Sequence, residues 1–168
     1  MIRSVLFSTI LLIACTFAQS TGFGGIAVFG VVPDLSVIVL IWVSYKNGPV
    51  EGPVSGFLSG LAEDFLSASP LGFHAFVKTA VAAVTALLHG SFFIDKLLLP
   101  ILLGFSGTVV KAIAAGAVHI LFGPSIHSYA FVDRVLWIEA AYNGLLAPIV
   151  FLLLAPLSRF LVTERRRG

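Results

Sequence analysis

Long apolar stretches separated by short polar or glycine- and proline-containing segments make up most of this chain. The stretches approach the ~20 residues that a helix needs to cross a bilayer. Six of them lie at 4–18, 26–45, 53–66, 71–88, 97–122 and 135–161. Helix-breaking clusters at 22–25, 47–49, 69–70 and 123–124 mark boundaries between them. The pattern predicts an all-α, polytopic membrane helix bundle with about six transmembrane helices.

Two of these predicted helices are short. The part of the second stretch that follows Pro33 would be only ~20 Å long as a helix, against a hydrocarbon core of ~30 Å. The third stretch has a similar length. Either the glycine-rich residues 23–32 re-enter the membrane, or Pro33 divides one longer helix. For the fourth helix, Ser69 as N-cap and Pro70 at the first helical position predict the start.

Composition agrees with a membrane protein. Apolar residues make up 58% of the 168 positions and charged residues 11%, and the mean hydropathy is +1.07. A soluble domain has roughly a quarter of its residues charged. We expect a single integral membrane domain over 1–168, with a short basic cytoplasmic tail at about 159–168. An uncleaved first helix is favoured over a signal peptide or a lipid-attachment signal ending at Cys15.

The basic residues are distributed unevenly between the two predicted sides of the membrane. With six crossings and a cytoplasmic N-terminus, the cytoplasmic segments hold Arg3, Lys46, Lys96, Arg159, Arg165, Arg166 and Arg167. The opposite side holds only Arg134. Because basic residues accumulate in cytoplasmic loops, we expect both termini in the cytoplasm, with these residues as topology anchors. The net charge of +2 is too small to indicate nucleic-acid binding.

Three glycines recur at four-residue intervals in the third stretch. Gly52, Gly56 and Gly60, with Ser55 and Ser59 alongside, would form one helix face without large side chains. Such a face lets a neighbouring backbone approach closely. Two interpretations remain open: packing between helices of one chain, or an interface with a partner or with a second copy of the chain.

Ionisable and amide residues interrupt the apolar stretches at a few positions, namely Asp34, Glu63, Asp64, His74, Lys78, Lys111, Glu139 and Asn143. Intramembrane charges usually face the bundle interior and pair with one another. We therefore expect a polar cluster in the outer half, in which Asp64 or Glu139 neutralises Lys78 or Lys111. Alternatively, the carboxylates are solvated topology markers or part of a binding or proton-relay site, and Lys78 extends outward to the headgroups. No catalytic or metal-ligand motif is recognisable, so we expect no enzyme activity and no cofactor.

Four short motifs occur in a specific order between 33 and 75. They are Pro-Asp-Leu at 33–35, Asn-Gly-Pro-Val-Glu-Gly at 47–52, a Gly-xxx-Gly segment ending in Glu-Asp at 56–64, and Ser-Ala-Ser-Pro-Leu-Gly-Phe-His-Ala at 67–75. Together they resemble the rod shape-determining MreD family of bacterial inner-membrane proteins. Lys46 alone represents the basic turn of that family, and Lys111 has no counterpart in its pattern.

The resemblance implies a non-enzymatic component of the machinery for cell elongation and peptidoglycan synthesis. Proteins of this family act with MreC, with the MreB filament, and with the RodA glycosyltransferase and its penicillin-binding partner. In fold, the family looks like the six-helix substrate-binding subunits of energy-coupling-factor transporters. The leading hypothesis is a scaffold that binds MreC, or a second copy of itself, through the glycine face or the apolar helices. The alternative is a substrate-binding subunit of a vitamin-type transporter, which Ala14 and Ala18 on one helix face would also fit.

Overall fold

The computed structural model of the protein describes residues 1–22, 27, 29–67, 69–90, 97–123 and 133–162. Four predicted topology anchors, Lys96, Arg165, Arg166 and Arg167, lie outside the described residues. Half of the residues at 23–32 also lie outside the described residues. This is the stretch for which re-entry into the membrane is one of the two interpretations.

The described part of the chain is helical and contains no strand, which confirms the predicted all-α class. Six main helices follow one another as α1 (Ile2–Gly22), α2 (Leu35–Asn47), α3 (Glu51–Leu66), α4 (Phe73–Leu87), α5 (Leu98–Phe122) and α6 (Arg134–Leu154). A 3-10 turn at Ala155–Leu157 and a short α7 (Ser158–Leu161) extend the last of them. The sixth apolar stretch, expected as one continuous segment, is therefore divided near Pro156.

Among the residues that the structure describes, three helical segments are long and apolar enough to cross a membrane: Ile2–Ser20, Leu98–Phe122 and Arg134–Leu161. The helices α2 and α4 are apolar but shorter, with 13 and 15 residues. The helix count agrees with the six apolar stretches of the sequence, while the number of membrane crossings stays a prediction.

The short helix α2 lies at the centre of the bundle. Its residues 36–44 are all buried, and it packs against α1, α3, α4, α5 and α6. A helix that is apolar on every side is stable only when other apolar groups surround it. Because protein rather than lipid surrounds α2, its length need not match the thickness of the hydrocarbon core. This position explains why so short an apolar helix is present.

The boundaries of α2 follow from local chemistry. Asp34 is its N-cap and accepts a hydrogen bond from the Val37 N–H at 3.1 Å. Gly48 follows its last residue with a φ of 83°, a left-handed conformation that a residue without Cβ adopts at little cost.

The predicted start of the fourth helix was wrong. The helix α4 begins at Phe73 instead of Pro70, and Gly72 precedes it with a φ of 94°. The Phe73 N–H donates to the Pro70 carbonyl at 3.1 Å, so Pro70 belongs to the turn before the helix. The capping group for α4 is the carboxylate of Asp64 in α3.

Candidate functional site

Lys111 of α5 connects three helices near one end of the bundle. Its Nζ lies 2.6 Å from Oδ2 of Asp34 and 2.7 Å from Oε1 of Glu139 in α6. All three side chains are at least four-fifths buried. Buried ion pairs contribute little net stability, but loss of one partner leaves a buried charge uncompensated. Lys111 therefore holds the start of the central helix against α5 and α6.

Asn143 continues this network. Its Oδ1 accepts the Asp34 backbone N–H at 2.8 Å, and its Nδ2 donates to Thr108 Oγ1 at 2.9 Å. Asn143 and Thr108 are fully or almost fully buried. The contact between Asn143 and Thr108 forms because α5 and α6 pack closely. A Cβ on Gly104 would lie only 2.8 Å from the Asn143 carbonyl oxygen.

Lys78 of α4 forms the second charged centre. Its Nζ lies 2.6 Å from Glu63 Oε2, and it donates to Ser36 Oγ at 2.7 Å and to Thr16 Oγ1 at 3.3 Å. Lys78 is 4% exposed, so the alternative in which it extends outward to the headgroups is wrong. Its carboxylate partner is Glu63 and not Asp64 or Glu139, the two predicted candidates.

Asp64, the neighbour of Glu63, caps the next helix. Its carboxylate accepts backbone hydrogen bonds from Gly72, His74 and Ala75 at 2.9, 2.8 and 3.2 Å. The His74 Nδ1 also lies 2.9 Å from Asp64 Oδ1, and His74 Nε2 lies 3.6 Å from Glu63. The first backbone N–H groups of a helix lack partners within it, and the helix dipole favours an anion there. Asp64 thus replaces a local N-cap side chain in α4.

The glycine row packs against helices of the same chain. A Cβ on Gly52 would lie 2.5 Å from Ser44 Oγ, and one on Gly60 would lie 2.5 Å from the Ala75 Cα. A Cβ on Gly56 would lie 3.0 Å from the Lys78 carbonyl oxygen. These distances leave room only for hydrogen, so the row lets α3 approach α2 and α4. This geometry favours the first of the two interpretations, packing between helices of one chain, and the interface with a partner or a second copy has no support in it.

A cavity of about 440 Å³ lies beside the charged groups. Asp34, Glu63, His74, Lys78 and Lys111 contribute charged or polar atoms to its lining. Asp133 and apolar side chains, among them those of Phe73 and Val77, complete it. Its volume falls in the range of sites for small molecules.

The other topology anchors that the structure describes lie at the opposite end of the bundle. Arg3 contacts the Phe160 ring beside Arg159, and Lys46 precedes Asn47, whose side chain bonds the Leu161 carbonyl. The two ends therefore differ in charge: the buried acidic and basic pairs lie at one end, and these basic side chains lie at the other.

All eight predicted polar residues belong to one of two networks in the structure. One network is centred on Lys111 and the other on Lys78. Sequence reasoning missed the hydroxyls of Thr16 and Ser36, which complete the bonding of Lys78. It also missed Gln19, which donates to the Pro33 carbonyl and accepts from the Ser36 N–H, both at 3.0 Å. Isolated Ser, Thr and Gln residues are ordinary in apolar helices, and the sequence carries no signal that separates these three from others.

The fold and this site define a class: an integral membrane helix bundle whose charged side chains join its helices at one end. A family model described as rod shape-determining protein MreD matches residues 1–157 of the chain. The chain therefore belongs to the MreD family, which confirms the resemblance found in its motifs and indicates a role in rod-shape determination. No curated protein and no solved structure matches the chain.

Proposed function

We propose that this protein is a non-catalytic membrane scaffold of the bacterial cell-elongation complex. It binds MreC and links it to the wall synthase, which consists of RodA and its penicillin-binding partner, and to the MreB filament. The family match over 157 residues is the observation that carries this proposal. The whole chain acts as one domain in the cytoplasmic membrane, with both termini in the cytoplasm.

The packing of the chain supports a scaffold whose partner surface is apolar and faces lipid. The charged networks bond α1 to α6 with one another, and the glycine row is occupied within the chain. Large apolar side chains remain exposed on the outer helices, for example Ile10 of α1, Ile113 of α5 and Leu145 of α6. A transmembrane helix of MreC would pack on one of these surfaces, where dispersion contacts and small residues drive helix association.

A crosslinking experiment tests this proposal. A photoreactive amino acid is placed singly at Ile10, Ile113 or Leu145 in cells that also produce MreC. A control carries it at Val43, which is 0% exposed in the central helix. We expect a crosslink to MreC from at least one exposed position and none from Val43. If none of the three exposed positions gave an MreC adduct while the protein was present in the membrane, the proposed scaffold function would be contradicted.

The cavity beside the charged networks favours a second candidate function, the binding of a small molecule. A vitamin-type substrate would contact both the charged side chains and the apolar part of the lining. Saturable binding of a vitamin to the purified protein, reduced by filling the cavity with Val77→Trp, would support this function. Copurification with MreC without any such binding would favour the scaffold.

A further inference from the structure

Two arginines that are far apart in sequence converge on one aromatic ring at the basic end of the bundle. The Cζ of Arg3 in α1 lies 5.3 Å from the ring centroid of Phe160 and 5.7 Å from that of Phe7. The Cζ of Arg159 in α7 lies 4.7 Å from the same Phe160 centroid. The rings of Phe7 and Phe160 are themselves 5.7 Å apart. We call these four residues the arginine–phenylalanine cluster.

Buried hydrogen bonds hold this cluster in place. The Leu161 carbonyl, next to Phe160, accepts from Ser4 Oγ at 2.5 Å and from Asn47 Nδ2 at 2.8 Å. Ser4 follows Arg3 and is 5% exposed, and Asn47 is also buried. These bonds attach α7 to α1 and α2. The backbone that carries the two arginines is therefore fixed by hydrogen bonds, and tertiary packing determines where the two guanidinium groups lie.

No carboxylate in the described part of the chain lies within 4.0 Å of the charged nitrogens of Arg3 or Arg159. Neither arginine forms an ion pair there, and both side chains are exposed. A guanidinium that stacks on an aromatic face keeps its edge N–H groups available for hydrogen bonds. Two such groups beside one ring repel each other, and an anion that accepts hydrogen bonds from both would relieve that repulsion.

We propose that the arginine–phenylalanine cluster binds the phosphate of an anionic phospholipid. The neighbouring exposed side chains are apolar, with Ile2 74%, Leu6 54% and Leu157 42% exposed, and they offer contacts for acyl chains. Arg3 lies in the first turn of a helix long enough to span the bilayer, where the headgroups of that leaflet would be. Both arginine side chains then reach phosphate while their methylene groups stay on the apolar surface.

The test is a lipid titration of the full-length protein in neutral detergent, followed by native mass spectrometry. Phosphatidylglycerol is the probe, and phosphatidylcholine with the same acyl chains is the reference. The variants are Arg3→Gln, Arg159→Gln, the double variant and Phe160→Leu, which keeps both charges but removes the shared ring. Lys46→Gln is the matched control, because it removes an exposed cation at the same end, outside the cluster. Monodisperse elution and unchanged helicity establish that each variant is folded.

We expect the wild type to bind one phosphatidylglycerol more tightly than phosphatidylcholine. Each arginine substitution should weaken that binding about fivefold, because one basic residue near an anionic headgroup raises the affinity by about this factor. The double variant should weaken it further. Phe160→Leu should also weaken it, and Lys46→Gln should leave it unchanged. Equal binding of the two lipids, or equal losses in Lys46→Gln and Arg3→Gln, would overturn the site. Full displacement of the lipid by inorganic phosphate would identify a free-phosphate site and overturn the lipid assignment.

Discussion

Lys111 and Asp34 form an ion pair at 2.6 Å although 77 positions separate them in sequence. Asp34 is the N-cap of the buried central helix, and Lys111 belongs to α5, a helix on its flank that is long and apolar enough to cross a membrane. The pair therefore fixes both the start of α2 and its position against α5. With Glu139 as second acceptor, Lys111 also bonds α5 to α6.

Lys111→Met should destabilise the protein strongly. The substitution preserves volume but leaves Asp34 and Glu139 as buried carboxylates without their cation, which costs about 3–5 kcal/mol. We expect a lower thermal unfolding midpoint in detergent. The triple variant Lys111→Met, Asp34→Asn, Glu139→Gln removes all three charges together and should recover most of the loss. An unchanged midpoint in the single variant would show that this network does not stabilise the bundle.

Asp64→Ala should unfold more easily than the wild type because α4 loses its capping carboxylate. Loss of an N-cap costs about 0.5–2 kcal/mol, and Asp64 supplies three backbone hydrogen bonds instead of one. Asp133→Ala is the matched control, since Asp133 caps α6 with one exposed hydrogen bond of 3.4 Å. The free energy of unfolding should fall further in Asp64→Ala. Equal losses in both variants would contradict the capping role.

Gly60→Ala should weaken the packing of α3 on α4. The new methyl group would meet the Ala75 backbone at 2.5 Å, and such overpacking costs about 1–3 kcal/mol. Gly116→Ala in α5 is the control, because its Cβ would meet no atom within 4 Å. That control should be neutral or slightly stabilising, since alanine favours a helix. Comparison of the two unfolding midpoints checks the prediction, and a stable Gly60→Ala would argue against tight packing there.

The Lys78–Glu63 pair can be measured by a double-mutant cycle. Lys78→Met and Glu63→Gln are made singly and together, and the free energy of unfolding is measured for each. Because the two groups are 2.6 Å apart and mostly buried, we expect a coupling energy of about 1–3 kcal/mol. The same cycle with Asp64→Asn in place of Glu63→Gln should give a smaller value. A larger coupling to Asp64 would reverse the assignment of partners.

The predicted orientation is open to a direct test in cells. Alkaline phosphatase fused after residue 162 should be inactive, because we expect that end in the cytoplasm, and a cytoplasmic reporter fused there should be active. Active alkaline phosphatase together with an inactive cytoplasmic reporter would place Arg3, Lys46 and Arg159 outside the cell. That result would contradict the predicted topology.

The sequence predicted where helices occur because apolar length and breaker residues determine this locally. It did not predict that α2 is central, since a helix packed in protein and a helix packed in lipid are equally apolar. Burial of the charged residues could also be expected from the cost of exposing them to lipid. Their pairing could not: Glu63 and Asp64 are adjacent, and only the rotation of α3 decides that one meets Lys78 and the other meets the start of α4.

The glycine row illustrates the same limit. A four-residue period predicts a flat helix face, but Gly116 shows that a helical glycine can also have nothing near it. Only the neighbours identify Gly52, Gly56 and Gly60 as contacts within the chain.

Copurification of MreC tests the proposed scaffold most directly. The full-length protein, carrying an affinity tag, is isolated in mild detergent from membranes that contain MreC, and the two proteins are quantified. We predict a fixed molar ratio of MreC to the tagged protein that persists through size-exclusion chromatography. Elution of the folded protein without MreC would contradict the proposal.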